Sequence, residues 1–314
     1  MRMDQGLAWM LAFLLAGTGC SGFYWWANYV ASEEHAKLIS LGSEPTPVPS
    51  AAPQKSDHEG KPEAHVANDT HDAVTEAEKP AAAKINAALP SAWGYQGSQG
   101  PRYWSRLDPA YLDCGAARGQ SPVDLDNTKL DQKLTPIIFS YRDSNLVTTL
   151  RGQELLATVS GNNYVEIEGD RFNLHSISIH TPSEHHLQSV PYELELQLNH
   201  RSPSGELAVL AIFVAAGNRS EDLELLLSSL PKGDGDEREI AAFPLMKLLP
   251  KKKTYFHYKG SMTTPPCTGN VAWFVFTTSL EAASRDIERA VRLVINNSRS
   301  MQKSAGRPIT RSNR

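Results

Sequence analysis

The sequence lacks the basic excess that nucleic-acid binding requires: 31 Lys and Arg stand against 35 Asp and Glu, a formal net charge of −4. Neutralising phosphates needs a positive face, so the composition gives no electrostatic case for nucleic acid. No internal repeat is visible, which sets repeat architectures aside. Cysteine is scarce, with three residues at Cys20, Cys114 and Cys267. Cys20 lies in an apolar run, leaving one distant pair in the globular region. Such a pair forms a disulfide if the domain is exported, or stays as two buried thiols if it is not.

Two segments are defined by what is missing from them. Between Gly6 and Val30 there is no charged residue, and the run ends in the aromatic cluster Phe23, Tyr24, Trp25, Trp26 and Tyr29. A bilayer core takes about 20 apolar residues, and aromatic rings favour the headgroup region, so residues 1–32 read as a transmembrane signal-anchor. A lipoprotein site at Gly17-Thr18-Gly19-Cys20 and a cleaved secretory signal are the alternatives. Arg2 before the run and Glu33 and Glu34 after it orient the domain to the extracytoplasmic side, periplasmic or extracellular. All three readings export it.

Within residues 33–90, the stretch from about Ser43 to Lys84 carries Pro45, Pro47, Pro49, Pro53, Pro62 and Pro80 and almost no bulky apolar side chains. Such a segment cannot bury enough surface to fold and reads as a disordered linker. His58, His65 and His71 within it read as solvated side chains, with loose metal binding as the alternative.

What remains, residues 91–314, is rich in short apolar stretches separated by turn residues. With 40% hydrophobic and 21% charged residues the chain can bury a sizeable core. Ile137–Tyr141, Tyr164–Ile167, Phe172–Ile179, Glu193–Leu198, Leu207–Val214 and Val271–Thr277 alternate or carry β-branched and aromatic residues, which predicts strands. Helices are expected at Glu221–Leu230, capped by Ser220, and at Leu280–Ile295, capped by Ser279. The fold class is mainly β: one domain around a large twisted, mostly antiparallel sheet with a few short helices.

Several segments carry a family resemblance. They are Trp93-Gly94-Tyr95-Gln96-Gly97, Gly100-Pro101 with Trp104, Gln120-Ser121-Pro122, His180-Thr181-Pro182-Ser183-Glu184-His185, Gly260-Ser261-Met262-Thr263-Thr264-Pro265-Pro266-Cys267, and Asn296-Asn297 with Arg299 and Gln302. In order and spacing the chain resembles the α-class carbonic anhydrases from about Trp93 to Arg307. The resemblance implies a conical cleft and a Cys114–Cys267 disulfide. It also implies a zinc held by a His-x-His pair on one strand and a third histidine on the next. Alternate strand residues face one side, so such a pair converges on one ion, and three imidazoles leave a place for a water whose pKa falls to about 7.

At those positions this chain reads Ser178-Ile179-His180 and Gln197, and no His-x-His pair occurs anywhere in it. Only His180 is retained as a ligand position, with Ser178 and Gln197 in place of the other two. The resemblance further places Glu184 and Thr263 at the pair that orients the zinc hydroxide, with Thr264 beside them. Tyr95 falls at the adjoining tyrosine, Tyr164 near the proton-shuttle position, and Ser176 where a glutamine orients the first histidine. Asn199 stands where the carbon dioxide pocket has valine, and Met262 where it has leucine. His200 matches a structural histidine, His185 lies outside the ligand set, and Glu195 matches a buried carboxylate. His175, five residues before His180, points to the opposite face of a regular strand.

The expectation is therefore a catalytically degenerate domain, resembling the carbonic anhydrase-related proteins. It is predicted to carry no cofactor and to bind an unknown protein or small molecule. The alternative is a zinc-dependent carbonic anhydrase with an unorthodox ligand set, His180 with His175 or Glu195. A third reading is an envelope scaffold in which the tether matters and the cleft is vestigial.

Overall fold

The structure, a computed structural model, describes residues 92–126 and 128–313. The signal-anchor, the linker and its three histidines lie outside the described residues. Among the described residues no helix is long and apolar enough to cross a membrane.

Among the described residues thirteen strands form one mixed sheet. They are β1 (Lys129–Leu130), β2 (Ile138–Ser140), β3 (Asp143–Arg151), β4 (Glu154–Val159), β5 (Tyr164–Ile167), β6 (Asp170–His180) and β7 (Leu194–Arg201). The rest are β8 (Leu207–Ala216), β9 (Glu237–Pro244), β10 (Tyr255–Ser261), β11 (Gly269–Phe276), β12 (Leu280–Ala282) and β13 (Thr310–Arg311). The spatial order is β1-β13-β10-β11-β8-β7-β6-β4-β3-β9, with β12 on β8 and β5 joining β2 to β6. Parallel pairing occurs where β1 meets β13 and where β8 meets β11 and β12; the other pairs are antiparallel. All six predicted strands are present, Tyr164–Ile167 to the residue and the other five lengthened or trimmed at their ends.

The centre of the sheet explains the near-continuous apolar run of β8. Ala208, Leu210, Ile212 and Val214 enter the larger core cluster, whereas Val209, Ala211 and Phe213 pack with Tyr258, Trp273 and Val275 on the other face. A strand covered on both faces has no polar alternation to show. On β6 and β7 the same two-residue period separates Ile177, Ile179, Leu196 and Leu198, in the larger core, from Ser176, Ser178, Gln197 and Asn199. The polar series thus shares one face of the sheet.

Among the described residues three short α-helices accompany the sheet: α1 (Trp104–Leu107), α2 (Glu221–Ser228) and α3 (Ser284–Val294). Ser220 caps α2 as expected, its hydroxyl accepting from the Leu223 N–H. The second predicted helix starts late. Residues Leu280–Ala282 pair with Val214–Ala216 as β12, so α3 begins at Ser284 behind Ala283, and Ser279 does not cap it. Edge pairing to β8 outweighs the helical preference of that segment.

The motif segments interlock. The Ser121 hydroxyl accepts from the Ser261 N–H and the Tyr258 hydroxyl, and the Ser261 hydroxyl accepts from the Ser121 N–H. Gly260 permits this approach, since a β-carbon there would lie 2.1 Å from the Ser121 oxygen. The Arg299 guanidinium donates to the carbonyls of Ser121 and Cys114, and Cys114 is disulfide-bonded to Cys267.

Candidate functional site

A cleft opens over the polar face of β6 and β7. Ser176, Ser178, Asn199, Glu154 and His175 line one part of it, with Leu156 beside Ser178, and Leu207, Val209, Met262, Pro265 and Pro266 line another. Thr264 also lines it, as expected, and Thr263 is buried close by in sequence.

His175 is there because the ladder slips. Leu174 pairs with His200 and Ser176 with Asn199, so His175 is the extra residue of a β-bulge. It therefore does not turn to the opposite face as a regular strand would dictate; it joins Ser176 and Ser178 at the cleft. The sequence carries no signal for the bulge.

Tyr164 is not among the cleft-lining residues. It sits on β5 opposite Asn173, with the Arg171 guanidinium 3.8 Å from its ring centroid. The acidic Glu154, at the start of β4, lines the cleft instead. Burial raises the Glu154 carboxyl, against the opposing pull of His180 and Arg151.

Beneath the lining, Ser178 faces Gln197 and His180 faces Glu195 across the β6–β7 pair. The Gln197 amide nitrogen donates to Glu184 (2.7 Å) and to Glu195 (3.0 Å). The other Glu184 oxygen accepts from the Arg299 N–H, and Glu195 accepts from the N–H groups of Glu184 and His185. His185 lies between Glu195 and the Tyr258 hydroxyl, at 2.8 and 2.6 Å. Burial alone would raise Glu195, but adjacent His185 and its hydrogen bonds outweigh it and hold the carboxyl below the usual range. Both Glu184 oxygens are thus engaged, one by Gln197 and one by the Arg299 N–H.

Removing that amide leaves two buried carboxylates facing each other without a shared donor. We expect Gln197→Leu to lower the unfolding free energy by about 3 kcal/mol, read as a reduced urea midpoint. A midpoint equal to that of the parent domain would refute the bridging role.

His180 is 3% exposed, and its Nδ1 lies 2.8 Å from the Asn297 carbonyl. A carbonyl only accepts, so Nδ1 carries a proton, and in the neutral imidazole Nε2 presents a lone pair. Among the described residues that Nε2 has no partner. Asn297 is itself fixed, accepting from Thr181 N–H and donating to the Ile179 carbonyl. Sequence reasoning noted Asn297 only as part of a motif; its role appears only when strand β6 and the closing segment are brought together.

The Asn199 amide nitrogen donates to Ser178 (2.8 Å) and Ser176 (3.2 Å), while its oxygen is buried and unpartnered. Tyr95 packs edge-on against Trp104, and its buried hydroxyl also lacks a partner. Burial, reinforced by Glu184 and Glu154, raises that phenol well above its ordinary value.

His200 is structural, as expected. Its Nε2 meets the Tyr141 hydroxyl at 2.6 Å, and Nδ1 donates to the Leu198 carbonyl. Burial pushes its pKa down to about 3. The unfolded chain takes up a proton as pH falls through about 6.5, whereas folded His200 stays neutral. Stability fully present above that pH is therefore lost, at up to about 1.4 kcal/mol per unit, as pH falls toward the folded value. The urea midpoint should drop between pH 7 and pH 5, with a shallower slope in His200→Gln. Equal slopes in the two proteins would remove His200 as the cause.

Among the described residues, no group of three or more His, Cys, Asp or Glu side chains is placed to hold a metal ion.

The comparisons with known proteins agree with this architecture. The family of eukaryotic-type carbonic anhydrases matches residues 99–314. A carbonic anhydrase of Nostoc is 32% identical over 218 residues, covering 67% of this chain and 82% of that protein. One from Klebsiella pneumoniae is 28% identical over 70% of this chain and 90% of its own length. Among solved structures, the α-carbonic anhydrase of Thermovibrio ammonificans in complex with the inhibitor sulfanilamide matches with a TM-score of 0.68 at 31% identity. That match covers 70% of this chain and 99% of that one. Dioscorin complexed with ascorbate matches with a TM-score of 0.66 at 28% identity, over 70% and 97% of the two chains. With the family matched across the whole sheet and its motif segments interlocked around the cleft, the chain belongs to the eukaryotic-type, or α, carbonic anhydrase family.

Proposed function

We propose that this domain keeps the family fold but binds a ligand in its cleft without resident zinc and without hydrating carbon dioxide. Ser178 and Gln197 stand where the family has two of its three zinc histidines. One observation carries the reading: the Gln197 amide nitrogen bridges Glu184 and Glu195, filling with a neutral donor the place of a metal-facing imidazole. Ser178 is likewise taken up by Asn199. What is left is the single imidazole lone pair of His180 beside a hydroxyl and an amide. Zinc takes imidazole, thiolate and carboxylate, so this donor set does not fit it.

The alternative, zinc held by an unorthodox set, draws on the unpartnered Nε2 of His180 and on relatives named carbonic anhydrases. Glu195 is a poor recruit because both its oxygens already accept hydrogen bonds from within the domain. His175 reaches the cleft only at its lining. The uncharged run from Gly6 to Val30 supports anchorage in a membrane, with the domain on the extracytoplasmic side. A binding role is compatible with the fold, since dioscorin has been captured with ascorbate.

The test is carbon dioxide hydration by the purified domain with zinc supplied. The expected rate is that of buffer alone, indifferent to chelator and to sulfanilamide. Hydration that a chelator abolishes, and that His180→Ala also abolishes, would establish the zinc alternative.

A further inference from the structure

We infer that the cleft takes a small organic amine, bound through its N–H donors with an apolar flank against the facing wall, and rejects the corresponding anion. This rests on the metal-free reading above. A zinc site carries a divalent positive charge at its floor and favours anions. Here the charges at and under the floor are carboxylates: Glu154 in the wall, with Glu184 and Glu195 buried behind the lining. Arg299 offsets part of this charge, but its guanidinium donates away from the cleft, to Ser121 and Cys114. Arg201 lies at the exposed rim, where solvent screens it.

The hydrogen-bonding inventory has the same sense. Asn199 turns its nitrogen to Ser176 and Ser178 and leaves its buried oxygen without a donor. On the same face of the sheet the buried Nε2 of His180 also has no partner among the described residues, though His180 does not itself line the cleft. A buried acceptor with no partner costs about 1–3 kcal/mol, which a ligand N–H recovers. The other side of the cleft, Leu207, Val209, Met262 and Pro265, offers apolar surface for a hydrocarbon or ring flank. A few polar groups facing an apolar wall fix the orientation of a small molecule.

Three isosteres separate the possibilities: benzylamine, benzyl alcohol and benzoate, titrated into the isotope-labelled exported domain and followed by amide NMR. Zinc content is measured on the same sample beforehand. Benzylamine should shift the Asn199 side-chain amide and the Ser178 and His175 backbone signals, benzyl alcohol more weakly, and benzoate not at all. Glu154→Gln should weaken benzylamine binding about tenfold and Asn199→Asp should tighten it by a similar factor. Benzoate binding as well as benzylamine, no benzylamine binding, or an affinity indifferent to both substitutions would overturn the assignment. Zinc in the sample would instead overturn the metal-free reading, so the two failures are distinguishable.

Discussion

Ser178→His with Gln197→His should convert the domain into a zinc protein. The two side chains lie opposite each other on β6 and β7, with His180 two residues from Ser178 on the same face. Imidazoles at 178 and 180 converge as alternate strand residues do, and a third at 197 closes the set. The orienting groups are already in place. Asn297 fixes the His180 tautomer, and Glu195, which now accepts from Gln197, would accept from an imidazole N–H at the same position. The double variant should bind one zinc at least roughly 1000-fold more tightly than the parent, since three imidazoles replace one. Each single variant should fall far short, because two imidazoles still leave the ion under-coordinated. Equilibrium dialysis against buffered zinc measures this directly. A double variant that binds no better than the parent would show that the cleft has lost more than two ligands.

The second large effect concerns the covalent tie. The Cys114–Cys267 disulfide joins positions 153 residues apart and sits in a cluster with Tyr95, Trp104 and Tyr111. Closing a loop of that size restricts the unfolded chain by about 4–5 kcal/mol. For a domain of this size each kcal/mol is worth roughly 2–4 °C, so Cys114→Ser with Cys267→Ser should lower the melting temperature by about 10 °C. The cleft should suffer too, since Cys267 directly follows Pro265 and Pro266 in its wall. Thermal unfolding followed by circular dichroism, with and without the disulfide, checks the first part. A melting temperature unchanged within about 2 °C would contradict it.

The strands were legible where side chains alternate or where β-branched and aromatic residues cluster, as in Tyr164–Ile167, recovered to the residue. The start of α3 was not. Leu280–Ala282 looks helical in isolation and becomes a strand only because β8 offers it an edge. At the site, the structure sets Ser178 opposite Gln197 on β6 and β7 and bonds Gln197 to Glu184. The motifs could not reveal the bulge at His175, which depends on how β6 and β7 slip past each other. Tyr164, placed by approximate spacing, sits on β5 opposite Asn173, whereas Glu154 at the start of β4 lines the cleft. Nor does any local pattern foretell that one glutamine amide would satisfy two carboxylates. That arrangement is tertiary, assembled from Glu184 in the turn after β6 and from Glu195 and Gln197 on β7.

The central claim is that the Gln197 amide, together with Ser178 and Asn199, closes the place of a family metal. Elemental analysis of the purified domain, folded in the presence of zinc and freed of unbound ion, tests it most directly. The account predicts zinc far below one equivalent, unchanged in His180→Ala. One tightly held zinc per chain, lost on replacing His180, would contradict it.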